Sequence, residues 1–255
     1  QFILARLHGF ESWTKFARHV QDLARAHSPE ATFETAVEAI VSGDLDVLKR
    51  LLSSEPSLVR ARSAREHHAT LLHYVAANGI EGYRQKTPKR IVQIARVLLQ
   101  AGAEVNATAH VYGGEATALE LVATSIHPEQ AGLQQELMKL LLDHGASFDA
   151  PLVNACLANG RLRAAEFLAE RAVPLDLESA AGLGRMDVVT SFYDAQGNLQ
   201  PNATSEQRDR GFLWACEYGR NDVLEFLLKR GARLDSSANT GQTPLHWAVI
   251  GGHID

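Results

Sequence analysis

The sequence predicts an all-α solenoid of about seven stacked helix–turn–helix repeats. Glycines recur at the ends of short apolar segments, where a residue in the left-handed conformation commonly ends a helix. They are Gly43, Gly79, Gly160, Gly184, Gly219 and Gly252. A second apolar segment follows most of them, as the outer helix of a pair: 47–52, 94–99, 137–142, 164–168, 188–192 and 223–228. A single helix pair of this length is too small to bury its apolar faces alone, and consecutive pairs must therefore stack.

The clearest inner helix begins after Thr243, whose hydroxyl can cap a helix, and Pro244 suits the first helical turn. Leu245, Ala248 and Val249 then fall on one face of that helix. The letters Thr-Pro-Leu-His at this point resemble the TPLH signature of the ankyrin repeat, a unit of about 33 residues that carries a β-turn finger.

Weaker copies of the signature begin at Thr70, where Leu71 replaces the proline, and at Thr117, where both proline and histidine are missing. Family-like endings close several repeats: 101–107, 144–149 and 230–235. The resemblance therefore covers about 29–255 and implies an ankyrin-repeat solenoid with short β-turn fingers.

The spacing between repeats predicts that some of these fingers are missing. Only six positions separate Gly145 from Pro151, and five separate Ala172 from Leu177, which leaves no room for a paired hairpin. We therefore expect repeats four and five to lack fingers, while repeats two, three, six and seven keep them. Inner-helix residues would then lie open in a notch, namely Ala158, Asn159, Gly182 and Leu183.

A helical leader precedes the array. Its apolar stripe consists of Trp13, Phe16, Ala17, Val20, Leu23 and Ala24. Because this segment is too short to fold alone, we expect 1–28 to cap the first repeat, with the array at 29–255. Its resemblance to leaders of bacterial ankyrin arrays implies a bacterial source, and a DNA-reading helix–turn–helix is the alternative. Both ends look trimmed, since 2–6 begins mid-helix and the seventh repeat lacks its second helix.

Composition excludes several classes of protein. The net charge of −5 argues against a nucleic-acid binder, and no apolar run reaches the ~18 residues of a membrane span. Cys156 and Cys216 lie in repeats two apart, beyond disulfide reach, and are expected to be small buried residues. Two cysteines that cannot pair indicate a reducing compartment, and we expect the protein to be cytoplasmic. We also expect it to be a monomer.

No motif for catalysis, phosphate binding or metal ligation is found, so we expect neither an enzyme nor a cofactor. The adjacent His67 and His68 lack metal-ligand spacing. The ankyrin resemblance implies instead that His73 and His246 order their turns by hydrogen bonding.

Basic residues are concentrated in the first finger, which holds Arg60, Arg62 and Arg65 beside two histidines. Either this is a solvated loop, or it is a local patch that attracts anions. Insertions at 81–88 and 126–132 are expected to form a ridge away from the fingers. Arg84 and Lys86 on the first insertion would pair there with Glu129 on the second.

The resemblance implies a protein-interaction module that binds a protein partner through a concave groove. Carried over residue by residue, the candidate contacts are Glu66, His67, Asn78, Ala158, Asn159, Leu183, Glu217, Tyr218, Asn239, Thr240 and Gln242. Leu183 is the expected apolar anchor of the notch. The alternatives are a regulatory array of a larger effector and a groove that binds a small molecule.

Overall fold

The computed structural model describes residues 1–25, 28–171, 174–235 and 241–253. The chain divides into two compact units, Gln1–Phe148 and Asp149–Asp255. Each unit consists of helix pairs, and one two-stranded hairpin is the only sheet of the described residues. The all-α solenoid predicted from the sequence is confirmed. The division into a leader at 1–28 and an array at 29–255 stays a prediction.

The first unit holds two leader helices and three helix pairs. Its α-helices are α1 (Phe2–Leu7), α2 (Trp13–Leu23), α3 (Pro29–Ser42), α4 (Leu45–Ser54), α5 (Ile91–Gln100), α6 (Ala118–Thr124), α7 (Ile126–Gln130) and α8 (Gln134–Asp143). Its 3₁₀ helices are Pro56–Arg60, Leu71–Ala76 and Gly82–Arg84, and its strands are β1 (Thr108–Val111) and β2 (Gly114–Thr117).

The second unit holds three further pairs and one more helix. Its helices are α9 (Ala150–Ala158), α10 (Leu162–Ala169), α11 (Leu177–Leu183), α12 (Met186–Ser191), α13 (Ser205–Glu217), α14 (Asn221–Leu228) and α15 (Pro244–Gly251).

Local sequence signals set the helix ends. Ser28 caps α3 by accepting the N–H of Ala31 at 3.0 Å, and Pro29 occupies the first turn. Gly43 ends the helix in the left-handed conformation, with φ of 83°. Asp44 then caps α4, so one short segment stops the inner helix and starts the outer one.

The inner helix of the second repeat is a 3₁₀ helix, Leu71–Ala76, rather than an α-helix. Its six residues are all buried. The N–H of Thr70 donates to Nδ1 of His73 at 3.1 Å, so this histidine orders the turn as the resemblance implied. His246 does the same for Thr243 in the second unit, at 3.2 Å.

The fingers differ in length. Strands β1 and β2 pair antiparallel, and their turn places Tyr112 and Gly113 at φ of 53° and 79°. Two successive positive φ angles characterise the tight hairpin turns that match strand twist. The first finger has only a single bridge, between Arg62 and Thr70, and residues 146–149 form no strand. The segments that precede the inner helices of repeats five and seven fall partly on 172–173 and 236–240, outside the described residues, so the predicted missing finger of repeat five and the predicted finger of repeat seven stay predictions.

The leader buries other residues than those of the predicted stripe. Trp13, Val20 and Leu23 of the predicted stripe are exposed, whereas Phe10 and His19 are buried. Gly9 turns the chain at φ of 76°, and the Phe10 ring then lies 4.8 Å from the His19 ring. Phe10 and His19 are thus buried in place of the stripe that the helical periodicity of α2 predicted, because the turn at Gly9 brings Phe10 against α2.

Two sequence predictions for the second unit are wrong. The segment 196–210 is polar and contains Gly197, Asn198 and Pro201, a composition that predicts a long loop. The loop ends early, because Thr204 caps α13 by accepting the N–H of Gln207 at 3.1 Å. Gly182 is buried rather than open. A Cβ at this position would lie 2.7 Å from Leu157 Cδ1 and 3.0 Å from Trp214 Cβ, so other side chains fill the floor of the predicted notch.

Candidate functional site

A groove of about 480 Å³ lies in the first unit, between the leader, the first two fingers and the first insertion. Its lining residues are Arg6, Leu7, Gly9, Glu66, His67, Gly79, Ile80, Glu81, Gly82, Gln85, His110, Val111 and Tyr112. Two of the predicted contacts, Glu66 and His67, are among them.

Hydrogen bonds to main-chain carbonyls join the two fingers that form one wall of the groove. The N–H of His110 donates to the carbonyl of His67 at 2.8 Å. Arg62 Nη1 donates to the carbonyls of His68 at 2.9 Å and Thr108 at 2.7 Å. The second finger is therefore held against the first, which fixes this wall.

Tyr112 presents an aromatic ring at the tip of the second finger, with 77% of the residue exposed. Its hydroxyl donates to Oδ1 of Asn78, and the N–H of Gly79 reaches the same hydroxyl at 3.2 Å. Asn78 in turn directs its Nδ2 to Thr124 Oγ1 at 3.3 Å. The predicted contact Asn78 thus holds the exposed ring of Tyr112 over the inner helix.

Glu66 lies on the rim, where it binds the leader. Both of its carboxylate oxygens accept from Arg6 Nη1 at 2.7 Å, and its N–H donates to the carbonyl of Gly9 at 2.9 Å. The two charged side chains remain 40% and 48% exposed. Water screens so exposed a pair, which contributes at most ~1 kcal/mol.

Four charged residues form a buried ion cluster behind the groove, namely Glu34, Arg65, Glu81 and Arg84. The Arg65 guanidinium donates to both oxygens of Glu34 and lies 2.6 Å from Glu81 Oε1. Arg84 Nη2 lies 2.6 Å from Glu34 Oε2. Arg65 also donates to the carbonyl of His8 at 3.1 Å. The cluster therefore ties the leader, α3, the first finger and the first insertion together.

The cluster sets the charge of the groove floor. Burial opposes ionisation of Glu81, but the hydrogen bond from His67 and the charges of Arg65 and Arg84 lower its pKa to about 2. His67 accepts the N–H of Ala69 at its Nδ1, so its Nε2 carries the proton that faces Glu81, 3.1 Å away. Glu81 is thus an anion at neutral pH.

These contacts correct two predictions about charged residues. Arg65 and His67 are buried, so they belong neither to a solvated loop nor to an anion-attracting patch. Arg84 turns inward to Glu34, so its predicted pairing with Glu129 is wrong. Both errors have one cause, since carboxylates distant in sequence neutralise these cations.

The candidate contacts of the second unit are scattered over different environments. Ala158 and Asn159 are exposed, and Leu183 is half-buried. Tyr218 donates its hydroxyl to the carbonyl of Leu157 at 2.6 Å. Burial raises the pKa of Glu217 to about 7.

The last predicted contacts lie near the seventh finger. Gln242 is half-buried, and Asn239 and Thr240 lie outside the described residues. Sequence reasoning missed Tyr112, Glu81 and Arg6 as groove residues. The Tyr-Gly pair was a usable turn signal for Tyr112, whereas nothing local to Glu81 or Arg6 indicated their place.

Within 1–25, 28–171, 174–235 and 241–253, no group of three or more His, Cys, Asp or Glu side chains is placed to hold a metal ion. None of the helices described there is both long and apolar enough to cross a bilayer.

Comparison with known families matches residues 212–255 to the family described as "Ankyrin repeats (many copies)". Among solved structures, the chain is similar to the human ASB11 ankyrin repeat domain, with 19% identity and a TM-score of 0.49 over 86% of this chain and 95% of that one. None of the curated proteins matches. The family match confirms the ankyrin repeats recognised in the sequence at 212–255. Such repeats generally serve as protein-interaction modules and typically as non-enzymatic scaffolds.

Proposed function

We propose that this protein is an interaction scaffold that binds a segment of a protein partner in the groove of its first unit. One observation carries the proposal: a single groove combines a fixed two-finger wall, an exposed aromatic ring at Tyr112 and an ionised floor at Glu81. Aromatic anchors and a few convergent polar groups are typical of binding surfaces.

The arrangement favours an extended chain segment over a compact ligand. The groove is bounded by the leader and both fingers, and Gly82 leaves room for a backbone to approach, because no atom lies within 4 Å of the position that its Cβ would take. The exposed Leu7 and the ring of Tyr112 add apolar surface for a side chain of the partner. A small-molecule site remains the second candidate, because a volume of about 480 Å³ falls in the usual range for such ligands.

The remaining parts of the proposal concern context. We propose a monomer of bacterial origin that works in the cytoplasm, with 1–28 as a cap on an array at 29–255. The second-unit residues Ala158, Asn159 and Leu183 stay candidates for a further contact with the partner.

Selection of binding segments tests the function. A library of 16-residue peptides is selected against the full chain, and bound segments are mapped by hydrogen exchange. We expect protection at 66–67, 79–85 and 110–112, and at least tenfold weaker binding to Tyr112→Ala. Tyr83→Ala is the matched control, because Tyr83 is exposed but does not line the groove. Segments that protect only the second unit, or that bind Tyr112→Ala normally, contradict the proposal.

A further inference from the structure

The geometry points to the chemistry of the partner segment: the groove takes a cationic side chain, arginine or lysine. This inference rests on the proposed function and specifies it. Two carboxylates carry the inference, Glu66 on the rim and Glu81 on the floor, and both line the same groove.

Glu81 has an unused acceptor. Its side chain is 1% exposed, and its Oε1 contacts Arg65 Nε at 2.6 Å and His67 Nε2 at 3.1 Å. Its Oε2 receives no hydrogen bond from any residue that the structure describes. Arg84 Nη1 forms an ion pair with Oε2 but lies 3.7 Å away, beyond hydrogen-bond distance. Because an unsatisfied buried acceptor is costly, an N–H donor that enters the groove gains the bond that Oε2 lacks.

The rim carboxylate can exchange its present cation for one supplied by the partner. The ion cluster is neutral by itself, with two arginines and two glutamates. Among the residues that the structure describes, Arg6 is the ion-pair partner of Glu66, through a contact open to water. A cation from the partner can replace Arg6 at small cost, since exposed pairs are weak. The net charge of −5 on the whole chain adds long-range attraction for a basic segment.

The groove also has space and an aromatic surface for such a side chain. At Gly82, no atom lies within 4 Å of the position that a Cβ would take, and φ is not in the left-handed region. A side chain can therefore enter beside this glycine toward Glu81. The exposed ring of Tyr112, anchored through its hydroxyl, offers a face for cation–π contact with the incoming group.

The test compares two small probes on the full chain. Nα-acetyl-arginine methylamide carries the charge, and the citrulline analogue has nearly the same shape without it. Each is titrated by amide NMR. We expect saturable shifts at Glu66, Gly82 and Tyr112 with the arginine probe, at least tenfold weaker binding of the citrulline probe, and weaker binding at high salt. Equal binding of both probes, or no shift at these residues, overturns the inference.

Two variants locate the site. Glu66→Gln removes the rim charge, and Gly82→Val fills the open space beside the floor. Each variant is expected to bind the arginine probe at least fivefold more weakly than the parent protein does. The matched controls are Glu225→Gln, in an exposed pair with Lys229 on α14, and Gly114→Val, which also points into open space. Controls that weaken binding as much as the test variants contradict the assignment. Glu66 keeps 40% of its side chain exposed, so its variant keeps the fold even where changes at the buried Glu81 do not.

Failure of this inference is distinguishable from failure of the proposed function. Selected peptides that occupy the groove without any requirement for arginine or lysine refute the cationic assignment and leave the interaction scaffold standing. If the arginine probe binds in the groove but the selection yields no binding peptide, the interaction scaffold is contradicted and the cation site stands.

Discussion

Removing Arg65 should unfold or severely destabilise the first unit. Its side chain is 3% exposed and touches Glu34, Glu81 and the carbonyl of His8. The substitution Arg65→Met keeps much of the aliphatic volume and deletes the charge. Two buried carboxylates then face a single cation, Arg84.

The size of the loss follows from that imbalance. Breaking a buried ion pair by removing one partner typically costs about 3–5 kcal/mol, because the other charge stays buried without compensation. Domains of this size are stable by only about 5–15 kcal/mol. We therefore expect Arg65→Met to cost the first unit about 3–5 kcal/mol and to release the turn at Gly9, whose carbonyl accepts the N–H of Glu66.

Urea-dependent hydrogen exchange measures this loss residue by residue. The amide of Glu66 should exchange by local opening in Arg65→Met, while the second unit keeps its protection. Arg60→Met is the control, since Arg60 is an exposed arginine of the same region, and its change should stay within about 0.5 kcal/mol. The double variant Glu34→Gln, Arg65→Met should recover part of the stability. A loss below 1 kcal/mol for Arg65→Met, equal to that of Arg60→Met, would refute the reasoning.

Three further predictions concern packing, pH and thiol reactivity. Gly211→Ala should destabilise the second unit by about 1–3 kcal/mol, because the new Cβ would lie 2.9 Å from Ala181 Cβ. Urea denaturation measures the change, and Gly114→Ala, whose Cβ would meet no atom within 4 Å, is the neutral control. A Gly211→Ala protein more stable than the parent would contradict this prediction. Burial lowers the pKa of His73 to about 4. As the pH falls from 6.5 to 4, the unfolded chain therefore binds a proton at this histidine before the folded chain does, and the free energy of unfolding of the first unit falls by about 3 kcal/mol. Burial raises the pKa of Glu217 to about 7, so the folded second unit holds a proton that the unfolded chain releases, and that unit loses stability as pH rises from 4.5 to 7. Hydrogen exchange at several pH values should show these opposite trends, and Glu217→Gln should abolish the second; parallel trends would contradict both assignments. Burial raises the pKa of Cys156 to about 12 and of Cys216 to about 11, so a thiol reagent should label them only after unfolding. Rapid labelling of the native protein would contradict their burial.

Local signals in the sequence predict the helix pairs, whereas long-range contacts decide the groove. Ser28 and Gly43 mark the two ends of α3, and Thr70 with His73 marks the inner helix of the second repeat. Each of these signals acts over three or four residues through a cap or a turn. The repeat architecture follows from such signals, because every pair uses the same few.

The ion cluster shows why the site escaped prediction. Arg65 lies 31 positions from Glu34, so neither residue carries a local sign of its partner. A basic finger therefore looks like an exposed patch until the fold brings the carboxylates to it. The same limit applies to Gly182, whose neighbour Trp214 comes from another repeat.

Photo-crosslinking from position 112 tests the central claim most directly. Benzoylphenylalanine replaces Tyr112 in the full chain, which is illuminated with its partner segment or in its own cell. A second chain carries the same group in place of the exposed Leu228 on α14. If the groove of the first unit binds the partner, position 112 forms the adduct and position 228 does not. Adducts from position 228 alone, or equal adducts from both positions, would contradict the account.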